Sequence, residues 1–204
     1  MNSEIKNIVF DLGGVLVDWN PRALFAKVFA DPADMESFLS NVATQDWNEK
    51  QDAGRPFAEA VRELCAAHPQ YAGHIRAFDE RWEEMIRGPI PGTVEILTEL
   101  HALSARRLFA LSNWSAEKFP VAEKLFPFLK LFEGMVVSGR VGIKKPDPRI
   151  FIYLCDEYSI VPGESVFIDD VLGNIEAAKR LGFATVQFES PEQLRRELVS
   201  MGLL

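Results

Sequence analysis

Apolar positions along this chain keep two rhythms. Short runs rich in Val, Ile and Phe fall at 5–11, 107–112, 135–138, 165–169 and 184–188. Their near-continuous apolar character predicts buried strands of a parallel sheet. Helical spacing of apolar residues covers about 92–104, 115–125, 147–158, 172–181 and 191–200. Strands alternating with helices in this way predict an α/β fold, a doubly wound parallel sheet with right-handed crossovers. Between Val17 and Pro89 the alternation stops, and only helical patterns remain, at roughly 21–30, 32–42, 56–68 and 71–86. The stretch Gly88-Pro89-Ile90-Pro91-Gly92 then breaks the chain before alternation resumes. The predicted organisation is a catalytic core of residues 1–17 and 89–204, with a helical cap of residues 18–88 inserted after the first strand.

The polar residues that interrupt these runs sit at the ends of strands. Asp11 closes the first run, Ser112-Asn113 the second, and Asp169-Asp170 the fourth. Lys145 stands in the loop Gly142-Ile143-Lys144-Lys145-Pro146, just before a predicted helix. Ligands of open parallel sheets bind beyond the carboxyl ends of the strands, so these groups are expected on one rim. Adjacent acids at the end of an apolar strand repel unless a cation or hydrogen-bond donors compensate.

That set suits phosphoryl transfer. A carboxylate can attack phosphorus and divide one displacement into two easier ones. Its charge repels a phosphate dianion, so a cation belongs between them, and Mg²⁺ favours carboxylate, water and phosphate oxygens. Asp11 and Asp170, helped by Asp169, are the candidate metal ligands. Lys145 would neutralise phosphoryl charge. Ser112 and the backbone N–H groups of the turn at Leu12, Gly13 and Gly14 would bind phosphate oxygens.

Composition narrows the field. The chain has 204 residues, of which 48% are hydrophobic and 25% charged, as in ordinary globular proteins. A formal net charge of −8 without a basic stripe argues against a nucleic-acid partner. The start MNSEIKNIVF lacks the pattern of a signal peptide, and no run approaches the length of a membrane span. A cytoplasmic protein is expected. Cys65 and Cys155 read as core thiols, and His68, His74 and His101 lack metal-ligand spacing.

Four ordered motifs then carry a resemblance. FDLGGVLVD at 10–18, LSN at 111–113, KKPDP at 144–148 and FIDDVLGNIEAA at 167–178 are similar to the motifs of the haloacid dehalogenase superfamily, across nearly the whole chain. Most of its members are Mg²⁺-dependent phosphatases. The resemblance implies a Rossmann-like core with a small helical cap. It assigns Asp11 as nucleophile, Lys145 as its catalytic partner, and Leu12, Gly13, Ser112, Asn113 and Lys145 to phosphate. The metal falls to Asp11, Gly13, Asp169 and Asp170, with Asn174 in support.

One departure matters. The family's phosphatases typically carry a second aspartate two residues after the nucleophile, for general acid–base work, and this chain has Gly13 there. Such catalysis contributes on the order of 10²–10⁴-fold. Either another group moves the proton, or the substrate has a leaving group that needs little protonation, such as a sugar 1-phosphate. The rival chemistry is metal-independent dehalogenation of 2-haloacids, with which Gly13 is compatible and the acid pair is not. A third alternative is a non-catalytic binding or regulatory protein with a degenerate site.

Within the cap, TQDWNEKQDAGRPF at 44–57 breaks the helical pattern and reads as a specificity loop bearing Trp47, Asn48 and Arg55. It fits equally an interhelical loop with Trp47 packed in the cap core. A small phosphorylated metabolite is the expected partner. The pattern is silent on oligomeric state.

Overall fold

The computed structural model describes residues 4–204. The chain opens with strand β1 (Asn7–Phe10), followed by a short strand β2 (Val17–Trp19). Five helices come next: α1 (Arg22–Phe25), α2 (Pro32–Asn41), α3 (Gln45–Asp52), α4 (Phe57–Ala67) and α5 (Ala72–Glu80). Strand β3 (Ile86–Pro89) returns to the core. The remainder alternates: α6 (Pro91–Leu103), β4 (Arg107–Ser112), α7 (Phe119–Leu125), β5 (Gly134–Val137), α8 (Ser138–Val141) and α9 (Pro148–Tyr158). It ends with β6 (Ser165–Asp169), α10 (Leu172–Arg180), β7 (Ala184–Gln187) and α11 (Pro191–Ser200). No helix among the described residues is long and apolar enough to cross a membrane.

Five strands form one parallel sheet in the order β5-β4-β1-β6-β7. The chain winds outward from β1 through β4 to β5, then crosses to β6 and β7 on the other side. The reversal therefore falls between β1 and β6, the strands that end in Asp11 and Asp169-Asp170. Successive side chains of a strand point to opposite faces, and the core divides accordingly. Ile8 and Phe10, with Leu108, Ala110, Val166 and Ile168, pack towards Ile96, Leu97 and Leu100 of α6 and Leu194 and Leu198 of α11. Val9, Phe109, Leu111 and Phe167 pack on the other face, towards Ile150, Phe151 and Leu154 of α9 and Ile175 and Ala178 of α10. Because both faces are covered, the strand sequences are apolar throughout rather than alternating.

The inserted helices are rooted by a two-stranded antiparallel ribbon, β2 with β3. This ribbon replaces the end of the helix expected over 71–86. The helix stops at Glu80, a single turn of 3₁₀ helix covers Trp82–Met85, and the Asn20 N–H donates to the Met85 carbonyl as the ribbon begins. Pairing across some seventy positions overrides local helical spacing here. The helix expected over 21–30 is also shorter, confined to Arg22–Phe25 with single turns beyond it.

The stretch 44–57 departs most from expectation. It is not a loop, because α3 fills most of it, started by Thr44, whose Oγ1 accepts from the Trp47 N–H at 3.1 Å. Trp47 is buried and meets Phe78 edge-on at 5.1 Å. Phe78 also contacts Phe25 at 5.9 Å and Phe57 at 6.5 Å, so it ties four helices of the insert together. Phe78→Ala is expected to destabilise the protein by about 3–5 kcal/mol, through lost transfer energy and the cavity left behind. Urea unfolding measures this, and a loss below about 1 kcal/mol would contradict the packing described.

Candidate active site

Asp11 follows the last residue of β1 and is still stitched to the sheet, its N–H donating to the Ile168 carbonyl at 2.8 Å. The residue is 6% exposed. Its Oδ1 accepts from the Leu12 N–H at 2.7 Å and lies 2.9 Å from Lys145 Nζ. Lys145 is fully buried, and its ammonium also donates to Asp169 Oδ2 at 2.7 Å and to the Leu111 carbonyl at 2.8 Å. An ammonium has three donors, and these three contacts use all of them.

The neighbours hold this arrangement. Asn113, just past β4, binds the Lys145 backbone twice: its Nδ2 donates to the Lys145 carbonyl at 2.9 Å and its Oδ1 accepts from the Lys145 N–H at 2.8 Å. The Asn113 amide, expected at phosphate, is thus committed to placing Lys145. Asp169 is similarly engaged. Its Oδ1 accepts from the Val171 N–H at 2.8 Å, and Asn174 Nδ2 lies 3.0 Å from each oxygen. Both its oxygens are bonded within the protein, so its first task is to organise Lys145 and the start of α10. The Leu12 N–H, also expected at phosphate, is spent on Asp11 itself, and the Gly14 N–H on the Val17 carbonyl at 2.9 Å. Ser112 Oγ is buried and has no partner among the described residues.

Asp11, Asp169 and Asp170 offer oxygen atoms within 4.8 Å of one another. Gly14, at φ +76°, is what lets Asp170 lie there, because a Cβ at that position would collide with its carboxylate. Three carboxylates make a hard oxygen set, suited to Mg²⁺ rather than to softer metals. Their ionisation carries the cost of crowding. Burial pushes the Asp11 carboxyl up to about 7 against the attraction of Lys145, and the charges of Asp169 and Asp170 add to the rise. Burial followed by the Asp169 charge also raises Asp170. Burial penalises the Lys145 ammonium too, but Asp11 and Asp169 outweigh it and hold its pKa above the ordinary lysine value.

These groups open into a cleft of about 320 Å³ between the sheet rim and the insert. The core side supplies Asp11, Gly13, Asn113, Lys145 and Asp170, and Trp19, Trp82 and Trp114 form apolar wall. A family description of haloacid dehalogenase-like hydrolases matches residues 5–182. The chain belongs to that family. As a haloacid dehalogenase-like hydrolase it is an enzyme, and three relatives that align with it over most of both chains are phosphatases by name. D-ribitol-5-phosphate phosphatase of Bacteroides thetaiotaomicron is 28% identical over 206 residues, covering 95% of this chain and 97% of its own. A HAD-like family hydrolase from Porphyromonas gingivalis superposes with a TM-score of 0.74 at 25% identity, over 98% of both chains. A HAD family enzyme from B. thetaiotaomicron, solved with magnesium and inorganic phosphate, superposes with a TM-score of 0.68 at 24% identity, over 91% of this chain and 95% of its own.

The insert contributes to the cleft of this hydrolase through α3. Gln45, Asn48, Glu49 and Asp52 line it, at the i, i+3, i+4, i+7 spacing of one helix face. Of the three insert residues expected to set specificity, Asn48 lies in the cleft wall, whereas Trp47 and Arg55 do not. Trp47 turns into the insert's core, and Arg55 is occupied by Gln51 Oε1 at 2.8 Å and Glu63 at 3.4 Å. Glu49, Asp52 and Lys144 were not singled out in the sequence, although the polar stripe at helical spacing was there to be read. Lys144 Nζ meets Glu49 Oε2 at 2.6 Å across the cleft mouth, joining core to insert.

Asp52 has no such cation. Burial, reinforced by the Glu49 charge, pushes its carboxyl up to about 7, against smaller opposing effects of Lys144 and the Ser115 N–H. The folded protein therefore holds a proton on Asp52 at pH values where the unfolded chain, with an ordinary carboxyl near 3.8, has lost it. Stability due to this group is present below about pH 4 and is lost as pH rises through about 7. Urea midpoints of metal-free protein between those limits are expected to fall with pH, and Asp52→Asn to flatten the fall. An unchanged slope in the variant would contradict the assignment.

Proposed function

We propose that this hydrolase is a Mg²⁺-dependent phosphomonoesterase that works through an aspartyl phosphate on Asp11, with a small, hydroxylated phosphorylated metabolite as substrate. The observation that carries the reading is the Lys145 ammonium, fully buried and bonded to both Asp11 and Asp169 beneath an acid-lined cleft. A lysine so placed restrains and orients a carboxylate, and adds positive charge where a phosphoryl group arrives. Asp11 and Asp170, with the Gly13 carbonyl beside them and Asp169 behind, would hold the metal. When bound, Mg²⁺ screens the nucleophile from the phosphate dianion and favours its ionised form.

The chain's own groups account for the rest. Asp11 attacks phosphorus in line with the leaving oxygen. The unpartnered Ser112 hydroxyl and the Gly13 N–H, which has no hydrogen bond among the described residues, would receive phosphoryl oxygens. A buried hydroxyl without a partner costs about 1–3 kcal/mol, which a ligand oxygen would relieve. A hydroxylated leaving group is supported by the polar α3 stripe and by the ribitol phosphate named for the B. thetaiotaomicron relative. A well-activated ester such as a sugar 1-phosphate is the substrate favoured if no cleft group protonates the leaving oxygen.

A screen of phosphorylated polyols and sugars tests the proposal by release of inorganic phosphate. Release is expected to require Mg²⁺, to stop with EDTA, and to fall at least about 10³-fold in Asp11→Asn, since the nucleophile is lost. Halide release from 2-haloacids that survives EDTA would favour the dehalogenase instead. Mg²⁺ binding without hydrolysis of any ester would favour a binding protein.

A further inference from the structure

Transfer of a phosphoryl group from an alcohol needs a proton for the departing oxygen and, in the second half, a base for the attacking water. The acids of the cluster are otherwise employed: Asp11 as the proposed nucleophile, Asp169 on Lys145 and Asn174, and Asp170 beside them where it would hold the metal. Lys145 has all three protons engaged. Two other carboxyls line the cleft, Glu49 and Asp52, and Glu49 is bound to Lys144.

Asp52 is left without an ion pair among the described residues, and it is fixed in place from both sides. Ser138 Oγ, at the start of α8, donates to the Asp52 carbonyl at 2.5 Å and accepts from the Trp114 N–H at 2.9 Å. The Asp52 carboxyl takes the Ser115 N–H, and Asn48 Nδ2 approaches it at 3.4 Å. The last turn of α3 is thereby held against the segment that leaves β4, two to three residues beyond Ser112. The charged neighbours of its carboxyl are Glu49 on the same helix and Lys144 from the loop before α9.

We propose that Asp52 is the general acid and base of the reaction, acting on the leaving oxygen and then on water, directly or through one bridging water. The proposal rests on the phosphomonoesterase reading above. In the first step the Asp11 carboxylate bonds to phosphorus, the bond from phosphorus to the alcohol oxygen breaks, and that oxygen takes its electron pair and the Asp52 proton. The products are the alcohol, the Asp11 acyl phosphate and an Asp52 carboxylate. In the second step the Asp52 carboxylate takes a proton from water as the water oxygen bonds to phosphorus. The bond from phosphorus to Asp11 then breaks, releasing inorganic phosphate and restoring both side chains. Burial that favours a protonated carboxyl near neutral pH is consistent with this cycle.

The experiment compares kcat/KM for β-glycerol phosphate, whose leaving group needs a proton, with p-nitrophenyl phosphate, whose leaving group does not, both with Mg²⁺. Asp52→Asn is expected to lose about 10²-fold or more on the glycerol ester while staying within about fivefold of wild type on the aryl ester. The aryl activity doubles as the control for folding, and Asp52→Ser replaces the variant if Asp52→Asn does not fold. Gly13 offers a second readout. A Cβ there meets nothing within 4 Å, so Gly13→Asp introduces a new acid at a cleft-lining position with room for its Cβ. Adding Gly13→Asp to Asp52→Asn is expected to restore at least tenfold on the glycerol ester, which repair of a merely structural defect would not do. Equal losses on both esters, no loss on either, or a wild type active on the aryl ester alone would overturn the role of Asp52. A wild type that hydrolyses neither ester nor any other phosphomonoester would instead remove the phosphomonoesterase reading, and the proposal with it.

Discussion

A single buried ammonium organises this molecule's working end. Taking a lysine out of water is costly, by several kcal/mol even after relaxation, unless its charge and each of its protons are met. Lys145 is met by Asp11, Asp169 and the Leu111 carbonyl, which come from the ends of three adjacent strands, β1, β6 and β4. The contact works only if those strands end level with one another and the loop at 144–146 folds back over them. The reciprocal pair between Asn113 and the Lys145 backbone secures that loop. Sheet order, strand register and the charge state of Asp11 are thus one problem with one solution.

The two walls of the cleft are held in different ways. Asp11 and Asp169 are anchored at the ends of β1 and β6, where covered faces and parallel pairing leave little freedom. The wall opposite is a short helix of the insert, α3, whose stripe of Gln45, Asn48, Glu49 and Asp52 faces the cleft. Two contacts fasten that helix to the core at different points, the Lys144–Glu49 ion pair at the mouth and the Ser138 hydroxyl at the Asp52 carbonyl. The ion pair is partly exposed and contributes modestly to stability, whereas the hydroxyl links into hydrogen bonds that reach the end of β4. Substitutions of Gln45 or Asn48 in the stripe can therefore alter what the cleft accepts without disturbing Asp11.

Which parts were legible in the sequence follows from how each signal arises. Asp11, Ser112 and Asp169-Asp170 stood out because a polar residue at the end of a fully apolar run has no packing reason to be there. Lys145 was legible as a candidate only through its company, since a lone lysine before a proline is ordinarily solvated. Its complete burial is a tertiary fact. The ribbon of β2 and β3 was hidden because strands of three and four residues, paired across the whole insert, leave no local period. Helix α3 was missed because a helix whose exposed stripe and cleft-facing stripe are both polar looks like a loop when judged by apolar spacing. The same hydrophilic stretch that argued against a helix is what equips it to line a site.

Whether Asp11 becomes phosphorylated is the direct test of the whole arrangement. Enzyme mixed with Mg²⁺ and a hydrolysed phosphate ester, quenched in acid within one turnover and digested, can be read by mass spectrometry of the peptide containing residues 6–20. The account predicts one added phosphoryl group on Asp11, converted to a hydroxamate by hydroxylamine. Turnover of the ester with Asp11 unmodified, or with the phosphoryl group on another residue, would contradict it.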